Sequence, residues 1–231
     1  MMKKYWCDNS AVWTHYGNAS SIIFPAWEKA FVAIVQSYMD DVTDADLKSR
    51  MVQFVKEETA HSKAHEDFNL RHGLKEAEED EYKNTKLLHR KPKLRFWLGT
   101  MVSIEHLASC MGRSYLDRWS DRKSKDFKLF CYHAKEELGH KKLALDLWDY
   151  LGYDRKELRK IAAVNQKYVI GFLLKYTIQK VKEDGLLYKL STIIDMIDCF
   201  SYIGIKIVIP GLRIYRKDFD PDDIDDSKYF S

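Results

Sequence analysis

Two short units hold the most chemically suggestive residues of this chain: Glu58-Thr-Ala-His61 and Glu137-Leu-Gly-His140. Each follows a lone glutamate at nearly the same distance, with Glu28 lying 30 residues before Glu58 and Glu105 lying 32 before Glu137. Residues three apart on a helix share a face, so the carboxylate and imidazole of each unit can converge on one point. Four carboxylates and two imidazoles, arranged as two copies of one pattern, suit a dinuclear metal site inside a four-helix bundle. A single Glu-x-x-His is common on solvated helices and says little. Two copies with matched upstream glutamates are much harder to reach by chance.

The flanking pattern decides whether these groups face water or core. Leu47, Met51, Phe54, Glu58, His61, His65 and Phe68 recur at steps of three and four. Phe130, His133, Glu137, His140, Ala144, Leu147 and Leu151 do the same, and such spacing marks the apolar stripe of a helix. Glu28 sits between Phe24 and Phe31, and Glu105 between Met101 and Ala108. An unpaired buried carboxylate costs several kcal/mol, so four on facing helices require protons or cations. Two divalent ions balance four carboxylates, and neutral imidazoles complete the shells. Mixed carboxylate and imidazole donors suit iron, with manganese or zinc as alternatives. Buried ion pairs to Lys or Arg are the competing reading.

His65 and His133 each lie four residues from a proposed ligand on the same stripe. They are candidates for extra ligands, proton-transfer groups or donors that orient the carboxylates, against the plainer reading of satisfied core histidines. His106 follows Glu105 and is rotated about 100° from it, which makes direct ligation a weaker reading. Glu57 and Glu136 are rotated similarly and suit solvated or supporting positions. His15, His72 and His89 lie outside the stripes and take no role.

Six helical stretches position these groups. The first spans about 21–40. The second is capped by Thr43 or Asp44 and stopped by Gly73. The others cover about 92–119, 121–152, 154–184 and 186–209, with Gly185 and Pro210-Gly211 as stops. No strand-like alternation bounded by hairpin turns is visible. The segment 74–91, acidic and then basic through His89-Arg90-Lys91-Pro92-Lys93, reads as a solvated connector placed where a long crossover belongs. The stretch 186–209 is rich in Ile and Leu but is interrupted by Lys189, Asp195, Asp198 and Lys206. A central Asp costs roughly 2.5–3.5 kcal/mol on insertion scales, so a core helix is expected there and not membrane contact.

The chain of 231 residues is 45% apolar and 13% aromatic, enough for a sizeable core. Few Gly and Pro beside abundant Lys, Leu, Glu and Ala favour an all-α fold. A net charge of +3 with 32% charged residues is a mixed surface and lacks the basic excess of a nucleic-acid binder. Cys7, Cys110, Cys131 and Cys199 form no C-x-x-C pair, which fits reduced thiols in a cytosol. Residues 1–18 show no apolar secretory segment. A small-molecule substrate is the expected partner; Trp27, Trp97 and Phe127 are candidates to line its pocket, and a homodimer is left open.

The segments Phe24-Pro-Ala-Trp-Glu28-Lys-Ala-Phe31, Phe54-Val-Lys-Glu-Glu58-Thr-Ala-His61-Ser-Lys-Ala-His65-Glu-Asp-Phe-Asn69, Ile104-Glu105-His106 and His133-Ala-Lys-Glu136-Glu137-Leu-Gly-His140-Lys141 resemble the bacterial predicted metal-dependent hydrolase family, assigned to the ferritin-like superfamily. The resemblance runs from about Phe24 to Pro221. It implies a ferritin-like four-helix bundle of the di-iron carboxylate type over 21–152. Two additional helices over 153–210 and a tail over 211–231 would complete one domain, 1–231. It supports Glu28, Glu58, His61, Glu105, Glu137 and His140 as metal ligands and strengthens His65, His106 and His133. The family often has Gln-Glu where this chain has Glu57-Glu58, and Phe-His-Pro where it has Phe219-Asp220-Pro221. The ligand set resembles that of O2-activating di-iron proteins, so the leading expectation is O2-dependent oxidation of a small organic substrate. The alternatives are dimetal hydrolysis of an ester, amide or phosphoester, and iron binding without turnover, which the two extra helices disfavour.

Overall fold

Ser10 opens the first element, its Oγ accepting from the Trp13 amide at 3.3 Å, and α1 spans Ala11–Ser37. The computed structural model, which describes residues 4–88 and 94–230, therefore begins this helix well before residue 21. Thr14, Gly17, Asn18, Ser20 and Ser21 weaken its intrinsic propensity, yet all are buried against neighbouring helices, and packing overrides propensity. Gly17 makes room for an aromatic ring, since a Cβ there would stand 2.6 Å from the Trp6 side chain. That ring stacks on Phe130 at 5.4 Å and closes one end of the core.

Asp44 caps α2 (Ala45–Arg71) by accepting from the Leu47 amide at 2.8 Å. Gly73 then leaves the helix at φ 70°, a conformation that glycine adopts without penalty. The segment expected to be a solvated connector is instead α3 (Lys75–Leu88). Glu76 and Glu78 in its first turn favour the positive end of the helix dipole. Glu78 and Glu81 are buried, held by Asn69 and by Tyr168 respectively. The basic run 89–93 lies outside the described residues.

α4 (Leu94–Trp119) is followed by α5 (Lys125–His140), which Ser124 caps. The helix expected over 121–152 is broken: α6 (Leu143–Tyr150) is a separate piece. The break follows Gly139, a poor helix former, at Lys141 and Lys142. These lysines reach the C-terminal tail, pairing with Asp226 and Asp220 at 2.8 Å each. α7 (Arg155–Glu183) matches its expected span closely. α8 (Leu190–Ile203) continues through a π-helical stretch, Gly204–Val208, into short turns.

α1 packs on α2, α3, α7 and α8, while α4 packs on α5, α6 and α7, and α2 meets α5. Between them Tyr16, Phe54, Phe68, Met101, Trp119 and Phe130 are fully buried; each large apolar side chain so placed contributes about 1.5–3 kcal/mol. Trp27, Trp97 and Phe127 belong to this core. α8 departs from expectation. It buries only a narrow edge through Thr192, Cys199 and Ile203, leaving Ile194 and Ile197 exposed, because its apolar residues surround more of the helix than one neighbouring surface can cover. No helix among the described residues is long and apolar enough to cross a membrane.

Candidate metal centre

Four helices bring the sequence candidates to one place. α1 supplies Glu28, α2 supplies Glu58, His61 and His65, α4 supplies Glu105, and α5 supplies His133, Glu137 and His140. All eight are buried, none more than 5% exposed. Donor atoms of Glu58, His61, Glu137 and His140 lie within 4.8 Å of one another, as do those of Glu28, His61 and His133.

Glu58 Oε1 lies 3.3 Å from His61 Nδ1 and 2.8 Å from His140 Nδ1. Glu137 Oε1 stands 3.8 Å from each of the same nitrogens and 2.9 Å from His133 Nε2. Both carboxylates therefore face both imidazoles. Glu105 falls outside the two tight groups, but it is fully buried and senses the charges of Glu137 and Glu58. Phe54 packs edge-on against His140 at 4.8 Å, and Phe24 against His133 at 4.6 Å, keeping water from the rings.

Without a cation, protons must balance this charge. Burial, and then the charges on Glu58 and Glu137, push Glu28 well above the usual carboxylate range. Burial acts likewise on Glu105, followed by Glu137 and Glu58. Burial would also raise Glu137, but His133 and His140 outweigh it and hold that carboxyl well below its ordinary value. Burial alone would lower His140; Glu137, Glu57 and Glu58 reverse this and raise it well above. Even so, both oxygens of Glu28 and Oε2 of Glu105 accept no hydrogen bond, with His133 Nε2 standing 3.4 Å from Glu28 Oε1. Buried polar atoms are seldom left this way. Orphaned lone pairs on the hard oxygens of buried carboxylates, beside a cluster of carboxylates and imidazoles, fit a divalent cation.

The outer nitrogens meet Glu57 and Glu136, for which a supporting position is one of the two expected readings. His140 Nε2 donates to Glu57 Oε2 at 2.7 Å, and His61 Nε2 donates to Glu136 Oε2 at 2.5 Å. A helix that offers a ligand histidine thus receives support from the glutamate beside the ligand carboxylate of the opposite helix. The signal lies in the chain itself, because both units read Glu-Glu-x-x-His.

His106 stands apart. Rotated off the Glu105 face, it donates from Nε2 to the Pro210 carbonyl at 3.3 Å and packs on Phe219 at 4.7 Å. Its surroundings are the C-terminal segment and not the carboxylates.

Buried carboxylates and imidazoles brought together by helices form a group that could hold a metal ion. The chain belongs to the predicted metal-dependent hydrolase family, whose model matches residues 1–225. No curated protein and no solved structure matches the chain.

Proposed function

We propose that this chain is a metal-dependent enzyme with a dinuclear centre, iron before manganese or zinc, in a ferritin-like four-helix bundle of α1, α2, α4 and α5. Its reaction is O2-dependent oxidation of a small organic substrate. The observation that carries the metal reading is the set of unpartnered oxygens on Glu28 and Glu105 beside the Glu58, His61, Glu137 and His140 cluster. Glu58 and Glu137, which each face both imidazoles, would hold the ions together with His61 and His140. Glu28 and Glu105 suit terminal positions, and His61 and His140 present Nδ1. Iron supplies an O2-reactive redox centre there, and zinc or manganese supplies Lewis acidity.

The side chains around the centre exclude water and hold protons. Glu57 and Glu136 keep the outer hydrogens of His140 and His61 in place, so each ring would offer its inward Nδ1 to an ion once that nitrogen gives up its proton. A cavity of about 10 Å³, lined by Phe24, Met111, Tyr115, Phe130, His133 and Glu137, touches the cluster. It is mostly apolar and about the size of a single water molecule.

A second reading, hydrolysis of an ester, amide or phosphoester, draws on the family description. It also draws on a groove of about 380 Å³ where Lys29, Ser62, Lys63 and Glu66 line the approach to Glu58. That volume suits a small organic molecule. Metal analysis of anaerobically purified protein, followed by a spectrum on O2 exposure, separates the two. Iron with an O2-dependent absorption change supports oxidation. Zinc or manganese with esterase activity and no reaction with O2 overturns it. Glu58→Ala abolishes metal binding under either reading, and full stoichiometry in that variant removes the centre itself.

A further inference from the structure

A chain of hydrogen bonds behind the cluster runs in one direction only, and it starts at a proline. Pro25 has no backbone N–H, so the Ser21 carbonyl, one turn earlier in α1, lacks its helical donor. Asn69 of α2 supplies one: Nδ2 donates to Ser21 O at 2.9 Å and also to Glu78 Oε2 at 2.8 Å. Both partners are acceptors, which fixes the amide's orientation and leaves Oδ1 to accept. Ser21 Oγ, 2.7 Å from Asn69 Oδ1, gives it its only hydrogen. Ser21 Oγ must then accept from His65 Nδ1, 2.8 Å away, so that nitrogen carries a proton.

The polar partners of His65 among the described residues are Ser21 and His133; no carboxylate touches it, and Phe24 and Phe130 pack against its ring. A neutral His65 protonated on Nδ1 is an acceptor at Nε2. That nitrogen lies 2.8 Å from His133 Nδ1, which therefore donates. A neutral His133 then keeps a lone pair at Nε2, aimed at Glu137 Oε1 at 2.9 Å and Glu28 Oε1 at 3.4 Å. A lone pair facing two carboxylate oxygens is repulsive unless a cation lies among them.

We propose that His133 Nε2 is a third imidazole ligand, serving the metal position formed with Glu28 and His61. Ser21, His65 and Asn69 act as positioning residues that set its tautomer. The inference rests on the dinuclear reading above and makes the centre unequal: two imidazoles serve the ion beside Glu28, and one serves the ion beside Glu105. Added nitrogen donors favour the later divalent transition metals, so the Glu28 position fills first.

The test is an anaerobic titration of the metal-free full chain with Co(II), followed by visible absorption and by proton NMR of the paramagnetic protein. The wild type is expected to bind two equivalents in two phases. It should show three hyperfine-shifted exchangeable imidazole N–H signals, one each from His61, His140 and His133. His133→Gln should remove one signal and weaken the tighter phase at least tenfold, leaving the other phase in place. Asn69→Leu should weaken the same phase by about 10- to 100-fold while keeping the third signal. Two equivalents bound with only two such signals in the wild type overturn the role of His133 and leave the centre standing, whether or not the variants fold. No Co(II) binding by the wild type overturns the metal reading and this inference with it.

Discussion

His140 on α5 donates to Glu57 on α2 across 2.7 Å, and α5 returns the contact from Glu136 to His61 on α2. The two helices thus exchange carboxylates around their own ligand histidines. Each exchange holds the outer ring nitrogen as a donor, so that under the metal reading only the inward Nδ1 gives up a proton to an ion.

Glu57 should matter through His140, its other side-chain partner being Gln53 on its own helix. Its side chain is a quarter exposed, so it is dispensable for folding. Glu57→Ala is expected to weaken metal binding about 10- to 100-fold. Glu57→Gln, which keeps an acceptor for Nε2–H, should lose much less. Competition against a chromophoric chelator measures both. Equal affinities for Ala and wild type would show that the contact does not orient the ring.

The metal-free protein should lose stability as the pH rises above 7. His140 and His61 are raised in the folded state, since their carboxylate neighbours outweigh burial. Such groups stabilise fully below their unfolded pKa of about 6.5, and that contribution disappears as pH climbs through the folded value. Glu28 and Glu105, raised by burial and by neighbouring charge, work in the same direction: the folded state holds protons that the unfolded chain has released. Histidines pushed down by burial, such as His65 and His106, complete their opposite contribution by pH about 6.5. Thermal unfolding in chelator from pH 7 to 9 should therefore show a falling Tm that saturating metal flattens. A Tm that rises across that window would contradict the protonation pattern.

The recurrence of apolar residues three and four apart made α2, α4, α5 and the burial of Glu28, Glu58, Glu105 and Glu137 legible from the chain alone. Periodicity reports a face, and these groups share faces with Phe54, Met101 and Phe130. Partners across helices leave no such trace. Glu57 and Glu136 read as solvated or supporting residues, and only α2 facing α5 shows which histidine each one holds. The same limit hid α3, where Glu78 and Glu81 look solvated until Asn69 and Tyr168 meet them. It also hid the start of α1, whose small polar residues are helical because other helices cover them. Helical rotation already sets His106 apart from Glu105 and the family resemblance keeps it a candidate; the structure takes it to Pro210.

Gly112 controls how closely α4 approaches α5. A Cβ there would stand 2.9 Å from the Ala134 carbonyl oxygen and 3.4 Å from its Cα, both backbone atoms that cannot swing away. Ala134 lies between His133 and Glu137, so displacement of α5 moves two cluster residues together. Gly112→Ala is expected to destabilise by about 1–3 kcal/mol in urea unfolding and to lower metal content. Gly139→Ala is the control, since nothing lies within 4 Å of its Cβ. It should be neutral or stabilising by about 0.5–1 kcal/mol. If both variants behave alike, the close approach at Gly112 is not what fixes α5.

Metal uptake should release protons, because the ions take over a charge balance that protons provide in their absence. Glu28 and Glu105 lie well above the ordinary carboxylate range, and His140 well above the ordinary imidazole value. Binding requires the carboxylates ionised and each inward nitrogen unprotonated. Calorimetric titration at pH 7 in buffers of different ionisation enthalpy should give roughly three protons released per filled centre. Glu28→Gln removes one source and should lower the release by about one proton while weakening binding at its own position. The affinity of the wild type should also climb with pH, in step with the loss of metal-free stability above pH 7. Release near zero would mean that the cluster is already deprotonated when empty, and the four buried carboxylates would then need a different counter-charge.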